Sequence, residues 1–276
     1  MNEAICEVCP HNCRIAPGKT GLCGARRNKD GEIVCESYGL LTSISLDPIE
    51  KKPLRRFYPG SLILSVGSYG CNFRCPFCQN CEISMATGEN ADTIYVSPQE
   101  LVQKALELVP RGNIGIAYTY NEPSVAYEYV LDCAKLCREN GLKNVMVTNG
   151  FLSEKILNLL LPYLDAMNID LKSFSEDFYR RIGGSLSDVK RTIELSSRKC
   201  HVEVTTLVIP GENDTPEEMR RLAGWLASID PEIPLHISRF FPMYKMADRP
   251  PTPVETVYSL ATVARGFLQH VYEGNC

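Results

Sequence analysis

Beginning at Leu62, apolar runs of strand length alternate with longer amphipathic segments along the rest of the chain. The strand-length runs lie at residues 62–66, 114–118, 144–148, 166–171, 201–209 and 235–238. The helical segments lie near residues 98–109, 123–140, 153–161, 186–198, 216–228 and 254–268. Strands that alternate with helices predict parallel strands joined by right-handed crossovers. Six such units favour the α/β class and a partial (β/α)6 TIM-type barrel, and a doubly wound open sheet is the alternative that periodicity leaves open.

Residues 1–60 differ in character from the rest of the chain. They are rich in Cys, Gly, Pro and charged residues, and they show no long helical period. We interpret residues 1–60 as a small Cys-rich N-terminal appendage and residues 61–276 as the barrel.

The composition limits the partners that this chain is expected to have. Lys and Arg number 29 against 33 Asp and Glu, which makes the formal net charge −4. This balance provides no reason to expect nucleic acid or an anionic membrane as a partner. No apolar run reaches the ~18 residues that span a bilayer, and the N-terminus lacks the basic-then-apolar layout of a secretion signal. We therefore expect a cytoplasmic protein.

Polar and unusual residues follow each of the six predicted strands. They occupy residues 68–80, 119–124, 148–150, 170–172, 210–214 and 239–242. Because the carboxyl ends of parallel strands form one face of an α/β fold, these residues should meet at one rim. The sequence therefore predicts a single active site there.

The loop after the first predicted strand carries three cysteines in the spacing Cys71-x3-Cys75-x2-Cys78. In a reducing compartment clustered cysteines indicate metal or redox chemistry rather than disulfides, and the chain has 13 cysteines. Three thiolates on a cubane iron–sulfur cluster leave one iron open. Cys81 offers a fourth thiolate, so a closed zinc site or a saturated electron-transfer cluster stays open as an alternative, as does the absence of a metal.

The cysteine loop GCNFRCPFC (residues 70–78), with the aromatic Phe77 before its last cysteine, resembles the signature of radical S-adenosylmethionine (SAM) enzymes. The longer run at residues 47–80 resembles the AmmeMemoRadiSam-system radical SAM enzymes, relatives of the pyruvate formate-lyase activating enzyme. Further similarity lies at residues 9–13, 117–124, 147–150, 165–174, 201–218, 234–246 and 271–275. The resemblance implies the partial (β/α)6 barrel of that superfamily. It also implies an open [4Fe–4S] cluster on which SAM is cleaved reductively to a 5′-deoxyadenosyl radical.

The resemblance also implies a set of SAM contacts on the rim. The set comprises Phe77, Cys78, Gln79, Tyr120, Asn121, Glu122, Asp170, Leu171, Lys172, Val208, Ile209 and Tyr244. Residues 120–122 stand where the superfamily has a Gly-Gly-Glu motif that contacts the SAM amino group, and the glycines are absent here. Glu122 suits an ammonium and Lys172 suits an anion.

Each of these assignments has a structural alternative. Glu122 could begin a helix, and Asp170 with Lys172 could form a rim ion pair. Val208 and Ile209 could be core residues, and Tyr244 stands near a position where the family has a His. Arg239 could hold a substrate anion or form a structural ion pair. The family has a Trp where this chain has Cys81.

The N-terminal segment carries a second run of cysteines, Cys6-x2-Cys9-x3-Cys13-x9-Cys23, with His11 as a spare ligand. The segment is too short and polar to form its own core, so a metal would add the stability that it lacks. Zinc or a second iron–sulfur cluster would both serve, and free thiols packed against the barrel are the alternative.

The residues do not identify the substrate, which is either a protein or a small molecule. The enzyme alternatives are a glycyl-radical activase and a SAM-dependent transferase that breaks a different C–S bond. An iron–sulfur electron carrier or a zinc-stapled binding module is the non-enzyme alternative. A reductive mechanism implies an electron donor such as flavodoxin or ferredoxin.

Overall fold

A computed structural model describes residues 3–276. Before the main sheet, short strands pair antiparallel, β1 with β2 and β3 with β4. These strands are β1 (Ala4–Ile5), β2 (Arg14–Ile15), β3 (Arg26–Lys29) and β4 (Glu32–Cys35). The next strand, β5 (Leu40–Leu41), pairs with β8 (Ile94–Tyr95) from the far side of the cysteine loop. The N-terminal segment is therefore joined to the loop by strand pairing as well as by packing.

The main sheet has eight strands in the spatial order β14-β13-β12-β11-β10-β9-β7-β6. The strands are β6 (Ser43–Pro48), β7 (Leu62–Gly67), β9 (Asn113–Tyr118), β10 (Lys143–Thr148), β11 (Ala166–Asp170), β12 (His201–Val208), β13 (Leu235–Arg239) and β14 (Val271–Gly274). All neighbours pair parallel except β6, which runs antiparallel to β7. Within residues 3–276 no pairing joins β14 to β6, so the sheet forms a partial barrel with a gap between these two edges.

Helices cover the outside of the sheet between successive parallel strands. They are α1 (Cys81–Ser84), α2 (Pro98–Glu107), α3 (Tyr127–Glu139), α4 (Glu154–Leu160), α5 (Glu176–Arg181), α6 (Leu186–Ser196), α7 (Pro216–Ile229) and α8 (Val254–Ala264). Short 3-10 segments occur at Ile49–Lys51, Val109–Arg111, Pro123–Ala126, Leu161–Tyr163 and Tyr244–Met246. Ser97 caps α2 in a full capping box, and Thr215 caps α7 before a proline at the first helical position.

The predicted α/β class and parallel strands are confirmed, and the sheet is larger than predicted. A seventh parallel strand, β14, follows the six predicted ones, and the antiparallel β6 lies at the opposite edge. Strand β6 precedes residue 60 and yet belongs to the main sheet. The division into residues 1–60 and 61–276 stays a prediction. Among the described residues, none of the helices is long and apolar enough to cross a membrane.

Residues 49–56 close the lower end of the barrel. Ile49 and Leu54 are fully buried and pack with Ala117, Val145 and Ala166 from successive strands. The segment is also held by its backbone, since Asn168 donates to the Pro53 carbonyl at 2.8 Å. We call residues 49–56 the floor segment.

Candidate active site

A cavity of about 580 Å³ lies above the floor segment, at the carboxyl ends of the parallel strands. Its wall includes ten of the residues predicted as cluster or SAM contacts: Cys71, Cys75, Phe77, Cys78, Gln79, Tyr120, Asn121, Glu122, Asp170 and Lys172. It reaches both edges of the barrel gap, at residues 50–55 on one side and 273–275 on the other. Four of the six predicted polar groups therefore meet at one cavity, whereas residues 210–214 and 239–242 do not line it.

Four residues predicted to contact SAM do not line this cavity. Leu171, Val208 and Ile209 are fully buried in the main core, as expected for strand-end residues packed between sheet and helices. Tyr244 is 37% exposed and lies in the segment whose Lys245 N–H donates to the Pro76 carbonyl of the cysteine loop. Their contacts with SAM stay predictions.

The cysteine loop is held in place by hydrogen bonds from several parts of the chain. The Cys71 N–H donates to the Cys23 carbonyl at 3.1 Å, and His11 Nε2 bonds the Asn72 carbonyl at 2.8 Å. Asn72 is fully buried, and its side chain donates to the Phe151 carbonyl at 2.6 Å. A glycine is needed at residue 70, which has φ +89°, because a Cβ there would lie 2.5 Å from the Cys23 carbonyl oxygen.

The three thiols of the loop lie in a poorly solvated wall. Burial raises the pKa of Cys71 and raises that of Cys75 to about 12, while the nearby Lys172 ammonium opposes the shift at Cys75. A bound cationic metal centre reverses this preference, because a coordinating thiol is deprotonated outright. The Cys71 sulfur also accepts from the Phe73 N–H at 3.4 Å and from the Asn149 side chain at 3.7 Å. Hydrogen bonds of this kind tune the sulfur ligands of iron–sulfur clusters.

Cys81 is separated from the other three thiols. It begins α1 and does not line the cavity, whereas Cys71, Cys75 and Cys78 all do. Over residues 3–276 no three His, Cys, Asp or Glu side chains stand in the arrangement of a loaded metal site. Any metal centre would therefore require its cysteine side chains to turn inward. Three thiols on one cavity wall suit a cluster with one open iron, since the donor set is all-thiolate and a fourth thiol is not at the cavity.

Glu122 is the buried carboxylate of the cavity wall and is 2% exposed. Its Oε1 accepts from the Ser124 N–H at 3.0 Å and the Thr148 hydroxyl at 2.8 Å, and its Oε2 accepts from the Asn149 N–H at 2.8 Å. By accepting the Ser124 N–H, Glu122 caps the 3-10 segment Pro123–Ala126. The alternative that Glu122 begins a helix therefore describes part of the role of this residue. Burial raises the pKa of Glu122 despite these bonds, and an ammonium ligand would favour its charged form.

Tyr120 adopts the left-handed conformation that a glycine would take at this point, with φ +71°. Its hydroxyl donates to Asp47 of β6 at 2.6 Å, and the Lys52 ammonium lies 4.7 Å from its ring centre. Asn121 accepts from the Ser68 N–H and donates to the Gly70 carbonyl, each at 3.0 Å. The residues before Glu122 are therefore positioned by side-chain contacts in place of the missing glycines.

Asp170 and Lys172, which also line the cavity, form an ion pair at 2.7 Å. Burial lowers the pKa of Lys172, but the Asp170 carboxylate and Cys75 raise it, with a net upward direction, so the ammonium is charged. The rim ion pair considered from the sequence is present. The cavity position of Lys172 also leaves it available to an anionic ligand.

Several polar residues of the site were missed by the sequence reasoning. Thr205, His236 and Ser238 line the cavity from β12 and β13. His236 Nε2 bonds the fully buried Glu203 at 2.5 Å. The available signal was a Glu in the middle of an otherwise apolar strand run, which is rarely tolerated without partners.

The N-terminal cysteines form a separate group. Cys6, Cys9, Cys13 and Cys23 line one small cavity together with His11, and Cys35 lies outside it. The predicted set of four thiols is therefore brought together, in a cavity that Asn72 of the cysteine loop also lines.

Residues 65–223 match the sequence profile described as the Radical SAM superfamily, which covers more than half of the chain. The chain belongs to the Radical SAM superfamily. Over 99% of its length it is 40% identical to an uncharacterized protein of Methanocaldococcus jannaschii, of which it covers 82%. It is also 27% identical to the pyruvate formate-lyase-activating enzyme of Clostridium pasteurianum, over 58% of this chain and 67% of that protein.

Solved structures show the same radical SAM fold. Streptococcus suis SuiB bound to its precursor peptide SuiA matches 75% of this chain and 47% of that chain, with TM-score 0.57 and 12% identity. A domain of pyruvate-formate lyase-activating enzyme from Bacteroides vulgatus matches 58% of this chain and 99% of that chain, with TM-score 0.50 and 17% identity. Family membership makes this radical SAM protein an enzyme that uses SAM and a [4Fe–4S] cluster.

Proposed function

We propose that this enzyme holds its [4Fe–4S] cluster on Cys71, Cys75 and Cys78 and cleaves SAM to methionine and a 5′-deoxyadenosyl radical. The observation that carries the proposal is the shared cavity, which the three thiols line with Glu122 and Lys172 while Cys81 lies outside. When bound, the cluster supplies the electron that breaks a C–S bond of SAM.

In this proposal, different residues of the cavity wall contact different groups of the SAM molecule. Glu122 accepts hydrogen bonds from the ammonium with the lone pair of Oε2 that the Asn149 N–H leaves open. Lys172 pairs with the SAM carboxylate, and Asp170 lies toward the ribose. Phe77 and Gln79 line the same wall beside Cys78. Packing of Val208, Ile209 and Tyr244 near the adenine is proposed from the family resemblance alone.

Anaerobic reconstitution followed by electron paramagnetic resonance (EPR) tests the open iron. The dithionite-reduced enzyme should give a [4Fe–4S]⁺ signal that shifts when SAM is added. S-adenosylhomocysteine serves as the control for cleavage, because it keeps the amino and carboxylate groups of SAM and lacks the sulfonium, so it should yield no methionine. An electron carrier or a zinc-stapled module would give no SAM-dependent shift and no methionine.

The finer family assignment and the partners belong to the same proposal. We place the chain with the AmmeMemoRadiSam-system enzymes on the run at residues 47–80. The 27% identity to a pyruvate formate-lyase-activating enzyme keeps a glycyl-radical activase as the second candidate. We propose a cytoplasmic enzyme reduced by flavodoxin or ferredoxin, acting on a protein or a small molecule. Ligand density above the cluster after co-purification would identify the substrate.

A second metal at the N-terminal cysteines completes the cofactor proposal. Cys6, Cys9, Cys13 and Cys23 line one cavity, so together they supply the four thiols that either zinc or a second iron–sulfur cluster would bind. Elemental analysis of the purified enzyme tests this point, because free thiols would retain neither.

A further inference from the structure

The four N-terminal thiols converge from two parts of the chain, the β1–β2 hairpin and the loop that follows it. The β1–β2 hairpin brings Cys6 and Cys13 side by side, with the Cys6 N–H donating to the Cys13 carbonyl at 3.0 Å. The tip of the hairpin is a turn in which the Asn12 N–H donates to the Cys9 carbonyl at 3.1 Å. Cys23 enters from the next loop, and all four thiols line the same cavity.

The size of this cavity favours a single ion over a cluster. Its volume is about 10 Å³, close to the space that one water molecule occupies. A single ion fits such a space, whereas a cubane of four irons and four sulfides is several times larger. All-thiolate sites for single ions are typical of zinc, which takes four ligands in a tetrahedron.

A buried arginine on the cavity wall favours a negatively charged metal site. Arg26 is 4% exposed, and its terminal nitrogens bond Glu128 at 2.8 and 2.6 Å. Its Nε–H has no hydrogen-bond partner among the described residues. A buried donor without an acceptor is costly. Four thiolates around a divalent ion carry a net charge of −2, so they would supply both an acceptor and a counter-charge for this guanidinium.

We propose that Cys6, Cys9, Cys13 and Cys23 bind one zinc ion, and that this ion anchors the cysteine loop of the main site. The inference rests on the proposed second metal and commits it to a single ion. The thiols turn inward on loading, as the thiols of the main cavity also must. His11 is outside the proposed zinc ligand set, because the four thiols already complete a tetrahedral site. Its Nε2 bonds the Asn72 carbonyl at 2.8 Å and so helps to hold the cysteine loop.

The contacts between the two cysteine groups explain the anchoring. The Cys23 carbonyl accepts the Cys71 N–H at 3.1 Å, so a zinc ligand and a cluster ligand share a backbone hydrogen bond. Asn72, next in the loop, also lines the zinc cavity. The segment around these ligands has only two-residue strands and turns, although Val8 and Ile15 pack in the main core, so zinc would add to the stability that this packing provides.

Elemental analysis of anaerobically purified and iron-reconstituted enzyme tests the proposal. The wild type should hold about one zinc and about four irons per chain. Cys9→Ser and Cys23→Ser should lose nearly all zinc, whereas Cys35→Ser should retain it. Cys35 is the matched control, since it lies in the same segment and outside the cavity.

Cobalt binding keeps the test independent of iron and of variants that fail to fold. In the triple variant C71A/C75A/C78A, one equivalent of Co²⁺ should give the intense charge-transfer absorption of a tetrahedral site with four thiolate ligands. Zinc should then displace the cobalt and erase that absorption. Addition of C9S to this variant should abolish it.

Three outcomes overturn the inference: about eight irons without zinc, four irons without zinc or cobalt binding, and zinc that survives both C9S and C23S. The first would show a second cluster, and the second would show free thiols. The proposed function fails separately, because the SAM-dependent EPR shift depends on the loop thiols. A zinc-loaded enzyme without that shift would retain this site and lose the main proposal.

Discussion

At Glu122 one carboxylate serves both the fold and the candidate SAM site. Its three hydrogen bonds join the Ser124 N–H, the Thr148 hydroxyl and the Asn149 N–H, which lie on two neighbouring strand ends. Replacement by alanine would therefore disturb the fold together with the site. Glutamine keeps the shape and one acceptor oxygen, so it isolates the charge.

We expect Glu122→Gln and Lys172→Met to weaken SAM binding about 10- to 100-fold each, the range for a lost hydrogen bond to a charged group. Iron content after reconstitution should stay unchanged, because neither residue is assigned to the metal. Equilibrium titration with SAM, followed by the EPR shift, provides the measurement. Lys155→Met is the control, since Lys155 forms an exposed ion pair with Glu7. Wild-type affinity in both test variants would refute these roles.

Each thiol of the loop is expected to be indispensable. Cys71→Ala, Cys75→Ala and Cys78→Ala should each lose SAM cleavage and most of the cluster iron, because a three-thiolate site has no spare corner. Methionine formation and iron content measure the two effects. Full activity in any one variant would show that its thiol is not a ligand.

Cys81→Ala should keep both its iron and its SAM-dependent EPR shift, because Cys81 does not line the cavity. The side chain is partly buried, so a packing cost of about 1–2 kcal/mol in unfolding free energy is expected. If this substitution strips the cluster, or creates a SAM response that the parent lacks, then Cys81 is a fourth ligand and the iron is not open.

At the scale of elements, the antiparallel strand β6 supports the loop that leads to Glu122. Asp47, at 8% side-chain exposure, binds the Lys52 ammonium at 2.9 Å and the Tyr120 hydroxyl at 2.6 Å. Lys52 is 2% exposed, so its charge depends on this partner. Both Lys52 and Tyr120 line the cavity.

Asp47→Ala should destabilise the protein by about 3–5 kcal/mol, because it leaves the Lys52 ammonium buried and unpaired. The double variant D47N/K52M should recover most of that loss, since a neutral pair of similar volume removes the uncompensated charge. Urea unfolding of the cluster-free protein measures both. A loss below about 1 kcal/mol in D47A, or no recovery in the double variant, would show that the pair does not stabilise the fold.

Six of the parallel strands were predictable because long apolar runs between turn signals have few other uses in an α/β chain. The seventh, β14, was not, because Val271–Gly274 is four residues long and half polar. Strand β6 was missed for a different reason, since Ser43–Pro48 lies in a Cys-rich region without visible periodicity. Its pairing with β7 is a long-range property that local patterning does not carry.

In the candidate site too, the residues in local motifs were predictable and those placed by the three-dimensional fold were not. The three cysteines of the loop and residues 120–122 were predictable from local motifs, and all of them line the cavity. The inward positions Thr205, His236 and Ser238 were not, because a sequence does not reveal which face of a doubly covered strand points inward.

For the molecule as a whole, the floor segment determines the depth of the cavity, and Glu203 holds that segment. Its carboxylate accepts the Arg55 and Arg56 N–H groups at 3.0 and 2.8 Å, and also bonds His201 and His236. Burial raises the pKa of Glu203, but these hydrogen bonds outweigh burial and lower it to about 2. The carboxylate is therefore ionised across the physiological range.

This low pKa predicts how stability depends on pH. A carboxyl whose folded pKa lies below its unfolded value of about 4.5 contributes stability that is complete above pH 4.5. The contribution, roughly 3 kcal/mol, is lost as the pH falls from about 4.5 to about 2. Glu203→Gln removes this titration while retaining an acceptor oxygen. The difference in unfolding free energy between wild type and E203Q should therefore be largest above pH 4.5 and shrink toward pH 3.

Urea unfolding at pH 5, 4 and 3 measures that difference. Cluster-free protein is used throughout, because acid would release the cluster during the experiment. The comparison covers pH 5 to pH 3, the range over which the stabilising contribution of Glu203 begins to fall. Glu50→Gln is the control, since Glu50 accepts only the Gly60 N–H at the exposed end of the floor segment. Its difference from wild type should stay small and change little over the same range. A difference for E203Q that is constant from pH 5 to pH 3 would show that Glu203 holds the floor by shape alone and not by its charge.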